Sequence, residues 1–122
     1  MAKDPPTVDS EIWSQWTREV RRGVLQLLVL AILRQKPSHG FEIVSTIRKL
    51  SGGLIDIPGG TIYPLLNRLE KNGLLQVVIW EYEGRKRKIY DLTPMGQKVC
   101  EQSVDYWQRL IVIVEDLTGR SK

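Results

Sequence analysis

The stretch Gly60-Thr61-Ile62-Tyr63-Pro64-Leu65-Leu66-Asn67-Arg68-Leu69-Glu70-Lys71-Asn72-Gly73 decides how this 122-residue chain reads. Ile62, Leu65, Leu66 and Leu69 fall on one stripe of a 3.6-residue period, which predicts a short helix buried along that stripe. Thr61 stands where a cap belongs, Pro64 lies in the first turn, where its missing amide proton costs nothing, and Asn72-Gly73 supplies the stop. Tyr63, Asn67, Glu70 and Lys71 are left on the opposite face, with Arg68 flanking it. A helix buried on one side and polar on the other has the shape and chemistry to enter a DNA major groove.

Working outward, Val77, Val78, Ile79, Trp80 and Tyr82 are strand formers, and Glu83-Gly84 is a turn pair. Lys86 to Leu92 returns as a second strand, so a hairpin is predicted with Arg85, Lys86, Arg87 and Lys88 at its tip. Trp80 is expected to be structural. Before the central stretch, Ser38 is a candidate cap for a helix with Phe41, Val44 or Ile43, Ile47 and Leu50 as its apolar stripe, closed by Ser51-Gly52-Gly53. A first helix starts near Asp9 or Ser10 and stops at Lys36-Pro37, with Ile12, Trp16, Val20, Gly23, Leu27 and Leu30 on one stripe. From Val24 to Leu33 that stripe widens until nearly every residue is apolar, as in a segment enclosed on several sides.

After the hairpin, Thr93-Pro94 reads as an N-cap with proline in the first turn of a last, long helix. Val99, Ser103, Tyr106, Leu110, Ile113 and Leu117 repeat at heptad spacing. Cys100, Val104, Trp107, Ile111 and Val114 form a second seam beside it. Together they make an apolar face broader than one small neighbour can cover, which points to a second copy of the chain. The predicted organisation is a tail over 1–8, a winged helix-turn-helix over 9–93, a dimerisation helix over 94–118 and a short end at 119–122. The fold class is α+β, mostly α.

Eighteen Lys plus Arg against fourteen Asp plus Glu leave a net charge of +4, a mild excess that suits a polyanion. One cysteine, Cys100, and one histidine, His39, exclude an internal disulfide and a closed Cys/His zinc site, so no metal or cofactor is expected. No run approaches the roughly 20 apolar residues of a bilayer-spanning helix. The start Met1-Ala2-Lys3-Asp4-Pro5-Pro6 is expected to be extended, and it lacks the pattern of a secretory signal. A cytoplasmic location is the expectation. No carboxylate pair accompanies a histidine, no nucleophile has a base, and Gly59-Gly60 lacks a P-loop lysine, so enzyme activity is not expected.

Three blocks carry a resemblance: Ser38-His39-Gly40-Phe41-Glu42-Ile43, Gly60 through Leu74, and Gly84 through Gly96. They resemble the signature blocks of PadR-type transcriptional regulators. The resemblance covers roughly Gly23 to Leu117 and implies a homodimeric winged-helix repressor whose final helix carries the dimer contact. A single long final helix containing Trp107 is similar to the smaller branch of that family, which includes the lactococcal multidrug-binding regulator. In relatives of that kind, paired tryptophans sandwich flat aromatic compounds, which implies Trp107 and Tyr106 as candidate effector contacts. Trp13 and Trp16 depart from the pattern and could fill the same space, which would give a regulator with no ligand.

The expected duplex-DNA contacts are Ser38, His39, Thr61, Tyr63, Pro64, Asn67, Arg68 and Lys71, with Arg85, Lys86, Arg87 and Lys88 on the wing. Arg68 is equally a candidate for an internal salt bridge. Strand alternation limits how many of the four wing cations share one face. Gly40 is expected to permit close packing. The expected dimer contacts are Trp13, Trp16, Val20, Val99, Ser103, Tyr106, Trp107, Leu110, Ile111, Ile113, Val114 and Leu117. A rival reading keeps the fold and uses the basic wing to meet an acidic protein surface.

Overall fold

The computed structural model describes residues 8–121; the expected extended tail around Asp4-Pro5-Pro6 lies outside them. Helix α1 runs Ser10–Gln35, α2 Gly40–Leu50 and α3 Ile62–Lys71, the last entered through a 3-10 turn at Gly59–Thr61. Strands β1 (Leu75–Tyr82) and β2 (Arg85–Leu92) follow, and α4 runs Pro94–Thr118. This is an α+β, mostly helical winged helix-turn-helix. Asp9 Oδ1 caps α1, accepting from the amides of Glu11 at 2.8 Å and Ile12 at 3.2 Å.

The core gathers one stripe from each element. Ile62, Leu65, Leu66 and Leu69 of α3 are all buried, as the opening stretch predicts. Val29, Leu30 and Leu33 of α1 meet them, with Ile43 and Ile47 of α2 and Leu75, Tyr90 and Leu92 of the hairpin. Burying such side chains contributes about 1.5–3 kcal/mol each, which makes this cluster the main favourable term in the fold.

The hairpin is antiparallel, in register from Leu75 opposite Leu92 to Tyr82 opposite Arg85. Glu83 at φ +50° and Gly84 at φ +76° give it the two left-handed residues of a type I′ turn, whose twist matches the strands. Ser38 pairs with Tyr90 in both directions, N to O at 3.0 Å and O to N at 2.8 Å, so a single residue before α2 acts as a third strand. That contact fixes the wing against the start of α2.

Thr93 Oγ1 accepts from the Gly96 amide at 3.0 Å and donates to the Gly73 carbonyl at 2.6 Å. The same threonine therefore caps α4 and ties it to the turn after α3. A side chain at Gly96 would overlap the Leu74 carbonyl oxygen, so the first turn of α4 approaches that turn as closely as backbone allows.

Four local expectations are corrected. The cap of α2 is His39, not Ser38, because Ser38 is drawn into the sheet and buried. The stripe of α2 is Gly40, Ile43 and Ile47, and Phe41 and Leu50 point to solvent, since the sheet and α3 cover the neighbouring phase of the helix. Thr61 makes no capping hydrogen bond; at φ −69° and ψ −25° it continues the 3-10 turn into α3. Trp80 is 62% exposed, on the strand face opposite Tyr90 and Leu92.

Helices α1 and α4 pack on each other but leave long apolar stretches open. Ile12, Trp13, Trp16 and Val20 are exposed on α1, and Tyr106, Ile111, Ile113, Val114 and Leu117 on α4. Val99, Ser103, Trp107 and Leu110 are half-buried. Between the two helices a groove of about 560 Å³ is lined by Gly23, Leu27, Leu30, Tyr106, Trp107 and Leu110, among others. Within one chain, Trp13 and Trp16 do not line it. No described helix is long and apolar enough to cross a membrane.

Candidate nucleic-acid interface

Alternation along β2 divides the four wing cations between two faces. Tyr90 and Leu92 are buried against the core, so Lys86 and Lys88 share their face and project beyond it, while Arg85 and Arg87 share the opposite face with Ile89. The first pair looks toward α3. A cleft of about 660 Å³ opens there, with Tyr63 and Asn67 from α3, His39, Gly40 and Phe41 from α2, and Lys86, Arg87 and Lys88 from the wing. An amide, a phenol and cations from three elements thus converge on one space.

The position of Tyr63 has a backbone cause. Its ring lies over the first turn of α2, where a Cβ on Gly40 would sit 2.7 Å from Cε1 and 3.1 Å from the phenolic oxygen. Only glycine leaves room for the ring to rest there with part of its surface, 43%, still open. Gly40 therefore permits close packing, as expected from the sequence.

His39 joins α2 to the wing. Its Nδ1 accepts from the Glu42 amide at 3.2 Å, and its own amide donates to Glu42 Oε1 at 3.2 Å, which completes a capping box. Its Nε2 lies 3.4 Å from Glu42 Oε1. Arg87 Nη1 lies 3.2 Å from the same Nε2. Burial raises the Glu42 carboxyl, but the His39 amide, the nearby imidazole and the Lys36 ammonium at 3.4 Å together hold it below its ordinary value. The part of Glu42 was missed in the sequence, although its spacing from His39 is the capping-box signal.

The other expected contacts distribute as follows. Pro64, Asn67, Arg68 and Lys71 line a shallow outer surface of α3, together with Glu70. Among the described residues Arg68 has no carboxylate within salt-bridge distance, so the expected internal bridge is absent and its guanidinium is open to solvent. Thr61 is exposed at the entrance to α3. Ser38 is 1% exposed, its hydroxyl donating to the Lys36 carbonyl at 3.2 Å and its amide and carbonyl taken by Tyr90. With every polar group engaged inside the fold, Ser38 has nothing left to offer a phosphate, which corrects the expectation. Arg85 stands apart from the cleft, on the far face of the wing.

Below the cleft, burial pushes the Tyr90 phenol up, with Glu70 and Tyr63 adding to the effect. Burial likewise raises the Cys100 thiol against the opposing charge of Arg34. Both groups belong to the core. Among the described residues no cluster of His, Cys, Asp and Glu could hold a metal ion.

Comparison with known proteins agrees with this geometry. A PadR family transcriptional regulator from Eggerthella lenta DSM 2243 superposes with a TM-score of 0.80 at 33% identity, over 91% of this chain and 96% of that one. The transcriptional regulator YqjI of Escherichia coli K12 is 37% identical over 81 residues, 66% of this chain and 38% of that protein. The transcriptional regulator Rv3488 of Mycobacterium tuberculosis is 34% identical over 80 residues, 66% of this chain and 72% of that protein. All three are described as transcriptional regulators. Residues 29–102 match the model of the PadR-like transcriptional regulator family, and the chain belongs to that family.

Proposed function

We propose that this chain acts in the cytoplasm as a homodimeric repressor on a pseudo-palindromic operator, with α3 of each copy in successive major grooves about 34 Å apart. Residues 9–93 would serve as the DNA-binding unit and 94–118 as the dimerisation arm. The observation that carries the reading is the shared cleft, in which Tyr63 and Asn67 face the same space as Lys86 and Lys88. A helix whose outward amide can pair with adenine, beside a hairpin that can follow the adjacent phosphates, divides the work into base reading and positioning.

The exposed apolar seam of α4, with the stripe of Ile12, Trp13, Trp16 and Val20, supports association with a second copy. The α1–α4 groove lined by Tyr106 and Trp107 supports a flat aromatic effector there. Such an effector would have to favour one spacing of the two winged units, since equal binding to both states shifts nothing.

Mobility shift with DNA flanking the chain's own gene tests the reading. A specific complex at moderate salt, lost in Tyr63→Ala while sedimentation still reports a dimer, is the expected result. No specific complex would overturn duplex recognition and leave the acidic-protein reading of the wing. A chain that sediments only as a 14.0 kDa particle, with duplex added, would overturn the paired arrangement.

A further inference from the structure

Apart from Arg87, the outer face of the wing takes no part in the cleft beside α3. It carries Trp80 directly opposite Arg87 and Tyr82 directly opposite Arg85, alternate rungs of the ladder that lie next to each other on this face and each pair an aromatic ring with a guanidinium. Val78 opposite Ile89 continues the face toward the core. Trp80 is 62% and Tyr82 70% exposed, and these four side chains line a cleft of about 780 Å³ with Ile89, His39, Glu42 and Glu83. Of the two bordering acids outside the rungs, Glu42 is already met by Lys36 and His39.

The geometry points to a platform for single-stranded DNA, in which two successive unpaired bases stack on Trp80 and Tyr82 while Arg87 and Arg85 meet their phosphates. Residues two apart on a strand are about 6.8 Å apart. That is about twice the 3.4 Å per nucleotide of a stacked duplex strand, so consecutive bases reach both rings only when unstacked. An unpaired strand can adopt that spacing and a duplex cannot. Stacking on exposed rings beside a cationic track is also how sequence-tolerant single-strand binding is achieved. The inner lysines face away from this surface, so one wing presents a duplex-facing side and a single-strand-facing side. The inference does not depend on the operator reading: Arg87 and His39 border both clefts, but Trp80, Tyr82 and Arg85 border only this one.

The test is fluorescence anisotropy of a dye-labelled octathymidylate titrated with the full chain, alongside the operator duplex. Saturable binding of the single strand is expected, weakened about tenfold or more in Trp80→Val with Tyr82→Val, while operator affinity stays within about twofold. Trp80→Phe with Tyr82→Phe should restore it, since the rings remain; valine and phenylalanine are both strand formers, which keeps the hairpin intact. Far-ultraviolet circular dichroism and a thermal melt of each variant report that it is folded. No binding of the octathymidylate, an equal loss in Lys86→Ala with Lys88→Ala, or full competition by polyglutamate would each overturn the platform. Tighter binding of octauridylate than of octathymidylate would overturn the commitment to DNA. Failure of the duplex arm alone would strike the operator reading and leave this one standing.

Discussion

The Tyr63 ring rests on the α-carbon of Gly40, so closely that a methyl group there would meet Cε1 at 2.7 Å. This contact couples the N-terminal turn of α2 to the outward, polar side of α3. It predicts that Gly40→Ala displaces the ring into the cleft and weakens operator binding by more than it lowers stability. A thermal melt shifted by only a few degrees, with a clear loss in mobility shift, is the expected pair of results. Unchanged DNA affinity would mean that the ring position is irrelevant to recognition.

The wing lysines should act through charge. Lys86→Ala with Lys88→Ala is expected to lower affinity for all duplex sequences and to flatten the salt dependence. Each lost phosphate contact reduces the logarithmic slope by about 0.9, so the pair should reduce it by about 1.8 per subunit, about 3.6 for a bound dimer. Because Arg85 lies on the other face, Arg85→Ala alone should leave the duplex slope nearly unchanged. Affinity measured across a salt series separates the two.

Gly96 is predicted to be the least replaceable glycine. At Gly96→Ala the new methyl meets a backbone carbonyl, that of Leu74, which cannot turn aside as a side-chain tip could. The first turn of α4 must move away, and the Thr93 bonds to Gly96 and Gly73 go with it. Overpacking of this kind costs about 1–3 kcal/mol, and loss of a cap adds about 1 kcal/mol. Denaturant unfolding should show a lowered midpoint, whereas Gly23→Ala, where the added methyl meets nothing within 4 Å, should not be destabilising.

Glu42 sets an acid-side dependence. Its carboxyl is held below the ordinary value of 4.5, so folding favours the charged form. The stabilisation is present above that value and is lost as pH falls through the lower, folded-state value. Melts of the wild type and Glu42→Gln should therefore differ at neutral pH and converge in acid. A difference independent of pH would assign the effect to packing alone.

Much of this architecture was legible from local pattern. The buried stripe of α3, the Glu83-Gly84 turn, the Asp9 cap of α1 and the Thr93-Pro94 start of α4 each depend on residues within a few positions of one another. Periodicity and turn chemistry act at that range, so reading them needs no partner element. The polar face of α3 was visible for the same reason. The capping box of α2 was also within reach, because His39 and Glu42 stand at its spacing, yet Ser38 is the stronger cap by residue type.

Local pattern along the chain sets the order and kind of its elements and the residues that must be hidden in α3. Packing between distant elements selects which phase of α2 is covered, that Ser38 is spent on the sheet, and that Lys86 and Lys88 share the face of Tyr90 and Leu92 while Arg85 and Arg87 share the other. A strand with cations at every position offers either face equally, and one residue of slip exchanges them. Burial of Tyr90 and Leu92, and the pairing of Ser38 with Tyr90, break that tie, because they set the sheet against helices that lie far from it in the chain.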